Sequence, residues 1–185
     1  MNKKTKWAII IIVVLVLIYG WSTYNRLVSL GESTDNQWAQ VETQYQRRFD
    51  LIPNLVESVK GIFGQEQKVF GDLAEARTRY SGATSVGEKV AAANQVETAL
   101  GRLLVVLENY PQLRSAENVQ TLMVQLEGAE NRISVERKRF NDLTRDYNLV
   151  TKRFPSSLIA GMFGFGEREY FEAAEGAEIA PEVKF

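Results

Sequence analysis

Two habits of hydrophobic patterning divide this chain. From Trp7 to Asn25 it carries no charged side chain and runs Trp7-Ala8-Ile9-Ile10-Ile11-Ile12-Val13-Val14-Leu15-Val16-Leu17-Ile18-Tyr19-Gly20 before turning polar. From Leu27 onward, apolar residues recur every three or four positions. Taken as helix, Trp7 to Tyr24 spans ~27 Å at 1.5 Å per residue, just enough for a hydrocarbon core of ~30 Å. Trp7 at one end, and Tyr19, Trp21 and Tyr24 at the other, sit where amphipathic rings favour the two interfaces of a bilayer. The segment 7–25 therefore predicts a transmembrane signal-anchor. The competing reading is a cleaved signal peptide, because Gly20 and Ser22 place small residues at −3 and −1 of a cut before Thr23. The anchor is preferred because the helical pattern resumes at Leu27 without a polar, turn-rich spacer.

The first periodic stripe is Leu27, Leu30, Thr34, Trp38, Val41, Tyr45, Phe49, Ile52, Val56, Val59 and Phe63. Between Leu30 and Ile52 its steps of 4, 4, 3, 4, 4, 3 form an eleven-residue repeat, which favours nearly straight or slightly right-handed helix packing. Pro53 predicts a kink near Phe49 and Asp50, or a new helix capped by Asp50; the pattern then continues through Val69, Leu73, Ala76 and Tyr80. A turn is written at Ser81-Gly82-Ala83-Thr84, and Ser85 with Glu88 three residues later makes a capping box. The second helix carries Val90, Ala93, Val96, Leu100, Leu103, Leu104 and Leu107, and should stop at Glu108 or Asn109, ahead of Pro111. Ser115 is the expected cap of a third helix, of about 38 residues, whose stripe is Val119, Leu122, Leu126, Ala129, Ile133, Phe140, Leu143, Tyr147, Val150 and Phe154. Pro155 closes it, and Ser156 or Ser157 caps a short fourth piece over 158–163.

No alternating β-branched pattern appears outside the anchor, so the predicted class is all-α: a transmembrane helix, a long antiparallel three-helix bundle and a short C-terminal helical piece. The expected organisation is 1–6 as cytoplasmic N-terminus, 7–25 as anchor, 26–165 as bundle and 166–185 as a flexible acidic tail. With three passes, the third helix ends far from the membrane, so the apolar segment Leu158-Ile159-Ala160-Gly161-Met162-Phe163-Gly164-Phe165 is expected to be distal. Leu158, Ile159, Met162, Phe163 and Phe165 are its contact residues, either plugging the open end of the bundle or meeting a lipid interface or a neighbouring subunit.

Charge adds direction. Lys plus Arg is 22 and Asp plus Glu is 23, but Lys3, Lys4 and Lys6 all precede the anchor, so the rest is acidic. Three lysines against Arg26, Glu32 and Asp35 give a positive-inside bias that puts the N-terminus in the cytoplasm and the bundle outside it, in a bacterial inner membrane. An acidic bundle argues against nucleic acid as a partner. Composition then removes whole chemistries, since the chain has no histidine and no cysteine. Zinc sites built on imidazole or thiolate, thiolate-held iron–sulfur clusters, and Ser-His or Cys-His nucleophiles are excluded, and no cofactor is expected.

Tyr24-Asn25-Arg26-Leu27-Val28, then Trp38-Ala39-Gln40-Val41-Glu42, then Tyr45-Gln46-Arg47-Arg48-Phe49-Asp50-Leu51-Ile52-Pro53-Asn54-Leu55-Val56 form a specific series. With Glu75-Ala76-Arg77, Tyr110-Pro111-Gln112-Leu113, Tyr147-Asn148, Phe154-Pro155-Ser156 and Phe163-Gly164-Phe165, it resembles the LemA family of bacterial membrane proteins over nearly the whole chain. The resemblance implies a single N-terminal transmembrane helix followed by a helical bundle, and brings no reaction, cofactor or catalytic residue. Relatives at organelle membranes of magnetic bacteria imply a membrane-organising role. One departure is Gly61-Ile62-Phe63-Gly64, where the family pattern is more polar; no Gly-Lys-Ser/Thr follows, so it is not a phosphate loop.

Other features invite stronger readings than they carry. Glu127, Glu130 and Glu136 make a row of carboxylates, but two-metal sites in bundles pair Glu with His, so a solvated face is expected. Arg47-Arg48 and Arg137-Lys138-Arg139, flanked by acids, are read as solvated salt-bridge faces, with contact to anionic lipid or a partner as the alternative. Tyr147-Asn148 is read as a structural polar contact inside the bundle. The resulting expectation is a non-enzymatic, membrane-anchored scaffold that self-associates and organises a membrane or envelope complex. The alternative is an adaptor or sensor of a membrane protease or transporter. Either has lipid as a partner through the N-terminal helix.

Overall fold

The computed structural model describes residues 2–60 and 67–172. Among the described residues six helices follow in order: α1 (Lys3–Lys60), α2 (Gln67–Gly82), α3 (Val86–Glu108), α4 (Pro111–Arg114), α5 (Glu117–Lys152) and α6 (Ser156–Phe163). No strand occurs among the described residues, so the all-α expectation holds. The motif Gly61-Ile62-Phe63-Gly64 and the tail 173–185 lie outside the described residues.

Two compact units are present, Met1–Ala39 with Lys138–Tyr170, and Gln40–Arg137 with Phe171–Phe185. In the first, Leu27, Tyr147, Val150 and Ala160 form a buried cluster against which Leu30 and Phe165 pack. Trp38 meets Phe140 with ring centroids 5.2 Å apart. In the second, α1 buries Val41, Tyr45, Phe49, Ile52, Leu55 and Val59, α2 buries Leu73, Ala76 and Tyr80, and α5 buries Val119, Leu126, Ala129 and Ile133. Helix α3 packs on α2 and buries Val90, Ala93, Val96, Leu100, Leu103 and Leu107, the stripe read from sequence with Leu104 half-buried at its edge.

Local signals explain the boundaries. The Ser85 hydroxyl accepts from the Glu88 N–H at 3.2 Å, and the Glu88 carboxylate accepts from the Ser85 N–H at 3.2 Å, so the capping box is formed. Helix α3 stops at Glu108, as Pro111 requires. Pro53 neither ends nor restarts α1, contrary to the expectation of a fresh helix capped by Asp50. The ring lies on the exposed face, where water can take up the bond that proline cannot donate. Asp50 is a mid-helix residue that accepts from Gln46 Nε2 at 2.9 Å.

Three further expectations are corrected. The stripe through Tyr80 does not belong to one first helix: Tyr80, near the end of α2, has its ring 5.4 Å from Tyr45 and 4.8 Å from Phe49, so α2 returns along α1. Helix α5 ends at Lys152, before Phe154, which leaves the stripe and is 81% exposed. Neither Ser156 nor Ser157 caps α6. Pro155 holds the N-cap position without a side-chain bond, and the Ser156 hydroxyl donates back to the Val150 and Arg153 carbonyls at 2.7 and 2.8 Å. Helix α6 closes on Gly164 at φ 75°, a left-handed conformation that glycine adopts without steric cost.

Candidate functional site: the foot of the apolar run of α1

Large apolar side chains are exposed at almost every position from Trp7 to Tyr19 of α1, including Ile11, Ile12, Leu15, Leu17 and Ile18. Each such side chain left in water forgoes ~1.5–3 kcal/mol relative to burial. A run of them without a charge demands an apolar surround. Helix α3 is also long and apolar enough to cross a membrane, but it spends that surface on the core of its own unit. Lys3, Lys4 and Lys6 are exposed in the first turns of α1, and Trp7 and Trp21 project openly at either end of the run.

At the C-terminal foot of this run lies α6. A methyl group placed on Gly20 would be 3.7 Å from Ile159 Cδ1. The Tyr24 ring meets Phe163 at 4.9 Å and Phe165 at 5.7 Å, both edge to face. The expectation that residues 158–165 lie far from the anchor is therefore overturned. It counted three helical passes, and the separate return of α2 adds a fourth. Ala160 and Ser156 are buried, Ile159 and Phe165 are half-buried, while Leu158, Met162 and Phe163 are exposed, Met162 at 73%. The segment thus seals its unit with one face and offers an apolar ledge with the other. Tyr24, expected as an interface anchor, is an aromatic contact for this ledge.

A cleft of about 530 Å³ opens beside it, lined by Tyr19, Ser22, Thr23, Arg26, Arg153 and Phe154 among others. Asn25 is exposed on the same turn of α1.

The strap that follows α6 is docked, not free. Asn148, 2% exposed, donates from Nδ2 to the Arg168 carbonyl at 2.8 Å and accepts the Arg168 N–H at 2.9 Å. Both ends of one buried amide are thereby satisfied by one residue's backbone. The Arg168 guanidinium lies 5.0 Å from the Tyr147 ring centroid and forks onto Asp35, with Nη2 to Oδ2 at 3.0 Å. That pairing, foremost, holds the Arg168 group above the ordinary arginine pKa. Arg168, placed by sequence in the tail from residue 166, is held here by Asn148 and Asp35.

In the other unit, Arg48, expected on a solvated face, is buried, and its charged neighbours are half-buried. Arg48 is 6% exposed, and its Nη1 lies 2.6 Å from Glu130 Oε2 and 3.7 Å from Glu97 Oε1. Arg137 Nη1 and the Tyr45 hydroxyl each donate to Glu97 Oε1 at 3.0 Å. Arg137 also covers the buried Phe171 ring at 3.9 Å. Burial foremost, then the Glu97 carboxylate, drives the Tyr45 phenol pKa well above its ordinary value. Arg47, Asp50, Pro53 and Asn54 are exposed, so of the charged residues of that motif Arg48 is the one turned inward. Glu97, Asp35, Arg168 and Phe171 were not singled out from sequence. The signal was present for Glu97: it stands four residues after Ala93 and three before Leu100, on the core stripe of α3.

Magnetosome proteins MamQ 2 and MamQ 1 of Paramagnetospirillum magneticum are each 27% identical over 189 residues, covering 86% of this chain and 70% of theirs. Magnetosome protein MamQ of Magnetospirillum gryphiswaldense is 26% identical over the same shares. The family model described as LemA family matches residues 37–185, which takes in the Arg48 cluster, Asn148, α6 and the strap. Matched over most of its length, and bearing the helices and the docked strap just described, the chain belongs to the LemA family.

Proposed function

We propose that this protein is a non-enzymatic, membrane-anchored helical scaffold that self-associates and organises a bacterial membrane or envelope complex. The observation that carries the reading is the charge-free, exposed apolar length of α1 with the ledge of α6 at its foot. Two apolar surfaces meeting at one level suit a span that enters lipid and a segment that rests on it. The relatives that bear the name magnetosome protein support a role at a membrane. The positive-inside bias puts the N-terminus in the cytoplasm and the bundle outside it.

Contacts inside each unit fit antiparallel packing of α1 and α5. Trp38 meets Phe140 and a Cβ on Gly31 would meet Tyr147, while Arg48 meets Glu130 and Ser58 meets Asn118. For self-association, the second unit offers an apolar groove of about 590 Å³ lined by Leu100, Leu104, Met123 and Val124, with Val124 68% exposed. The full chain, solubilised in mild detergent, should run as a dimer or larger by light scattering, and Val124→Glu should reduce its mass. A monomer at every concentration overturns self-association. Extraction of the protein from membranes by alkaline carbonate overturns the anchor.

A second reading, an adaptor for a membrane protease or transporter, is favoured by the same groove, since Met-lined apolar surfaces accommodate varied helices. Crosslinking from position 124 that captures a single membrane protein in place of a second copy favours the adaptor.

A further inference from the structure

The cleft at the foot of the anchor has a composition that the scaffold reading leaves unused. Arg26, on α1 just past the uncharged run, and Arg153, just past α5, both line it. Neither guanidinium has an ion pair among the described residues, a state shared by Arg47, Arg77 and Arg132, but Arg26 and Arg153 line one and the same cleft. Asp146 also lines the cleft, but its carboxylate is engaged by Arg145 at 3.3 Å. The Ser22 and Thr23 hydroxyls stand on the same wall as Arg26, and the Tyr19 and Phe154 rings and Leu149 supply apolar lining. Two unpaired guanidinium groups, two hydroxyls and apolar flanks make a pocket for an anion joined to a hydrocarbon. If α1 enters lipid as proposed, Tyr19 marks the interface, so the cleft opens at the depth of lipid phosphates.

We infer that this cleft binds the headgroup of an anionic phospholipid, with the phosphodiester held between Arg26 and Arg153. Guanidinium forks match phosphate oxygens bidentately. The positive excess of the lining selects a lipid with net negative charge over a zwitterionic one, whose ammonium would find no free carboxylate there. The inference rests on the membrane reading, and its test separates the two.

The full-length protein is reconstituted in vesicles of phosphatidylcholine alone or mixed with phosphatidylglycerol. Flotation with phosphatidylcholine vesicles reports the anchor and does not depend on the arginines; failure to float overturns the membrane reading. In the mixed vesicles, native mass spectrometry of the extracted protein should find phosphatidylglycerol retained in preference to phosphatidylcholine. Arg26→Gln and Arg153→Gln should each lower retention about fivefold, and together about thirtyfold, the scale of an arginine's attraction to an anionic lipid surface. The charge-preserving pair Arg26→Lys and Arg153→Lys separates a fitted site from diffuse attraction. Partial loss in the lysine pair supports the cleft, and full retention in it overturns the cleft in favour of diffuse charge. Equal retention of both lipids, or binding of inorganic phosphate as tight as that of the lipid, also overturns the inference while leaving the anchor in place.

Discussion

Asn148 and Arg48 show how single polar residues hold this structure, by opposite means. The Asn148 amide is satisfied at both ends by the Arg168 backbone, so Asn148→Leu leaves an N–H and a carbonyl unpaired beside an apolar wall. The expected cost is ~1–3 kcal/mol. Thermal unfolding in detergent measures it, and trypsin cleavage after Arg168 should accelerate; an unchanged cleavage rate counts against the clamp. Arg48 has buried nitrogens without hydrogen bonds, Nε and Nη1, despite the close approach of Nη1 to Glu130. Its worth therefore comes from charge neutralisation of Glu97 and Glu130 more than from directed bonds. Arg48→Met should cost about 1–3 kcal/mol by denaturant titration, and adding Glu130→Gln should restore part of it, because the two substitutions share one interaction.

At the scale of the element, helix ends follow local chemistry, and their weakening is predictable. Ser85→Ala removes the acceptor for the Glu88 N–H and should cost about 0.5–2 kcal/mol, with hydrogen exchange quickening in the first turn of α3. Glu88 is held below the usual carboxylate range, first by the Thr84 and Ser85 backbone N–H groups. A lowered folded pKa stabilises above the unfolded value and loses that contribution as pH falls through the folded one. Protection of this turn should thus decline on acidification, and Glu88→Gln should remove the dependence. These elements were legible because caps and stripes are written within a few residues. Ser85 and Glu88 set the start of α3, and the stripes of α1, α3 and α5 gave nearly all of the core. The interior charges were less visible because their partners lie on other helices. Yet Arg48, Glu97, Glu130 and Arg137 each stand three or four positions from buried residues of their own helix. A charge on a stripe announces contact with the core, which for Arg48 is full burial, though not its partner. The return of α2 was lost for a different reason: the hydrophobic period continues across the break, so periodicity alone could not separate α2 from α1 and misplaced α6 by one pass.

For the molecule as a whole, alkaline pH should be the destabilising direction. The Tyr45 and Tyr80 phenols are both pushed upward by burial first, then by the Glu97 and Glu42 carboxylates respectively. Unfolding returns them to the ordinary value near 10, so the unfolded chain releases protons first, and stability present below that value falls as pH rises beyond it. The denaturant midpoint should drop above about pH 10, and Tyr45→Phe and Tyr80→Phe should flatten that slope. The docking of Ile159 against Gly20 has another outcome at this scale. A span of barely sufficient length can normally meet a thick bilayer by sliding or by drawing flanking residues inward. If α1 spans lipid as proposed, a ledge packed against its foot would act as a depth stop. The mismatch would then fall on the lipid, which would have to thin around each copy. Many copies gathered together would favour one bilayer thickness over another, so the protein should partition into vesicles of short-chain lipid over long-chain lipid, and Gly20→Leu, which pries the ledge away, should weaken that preference.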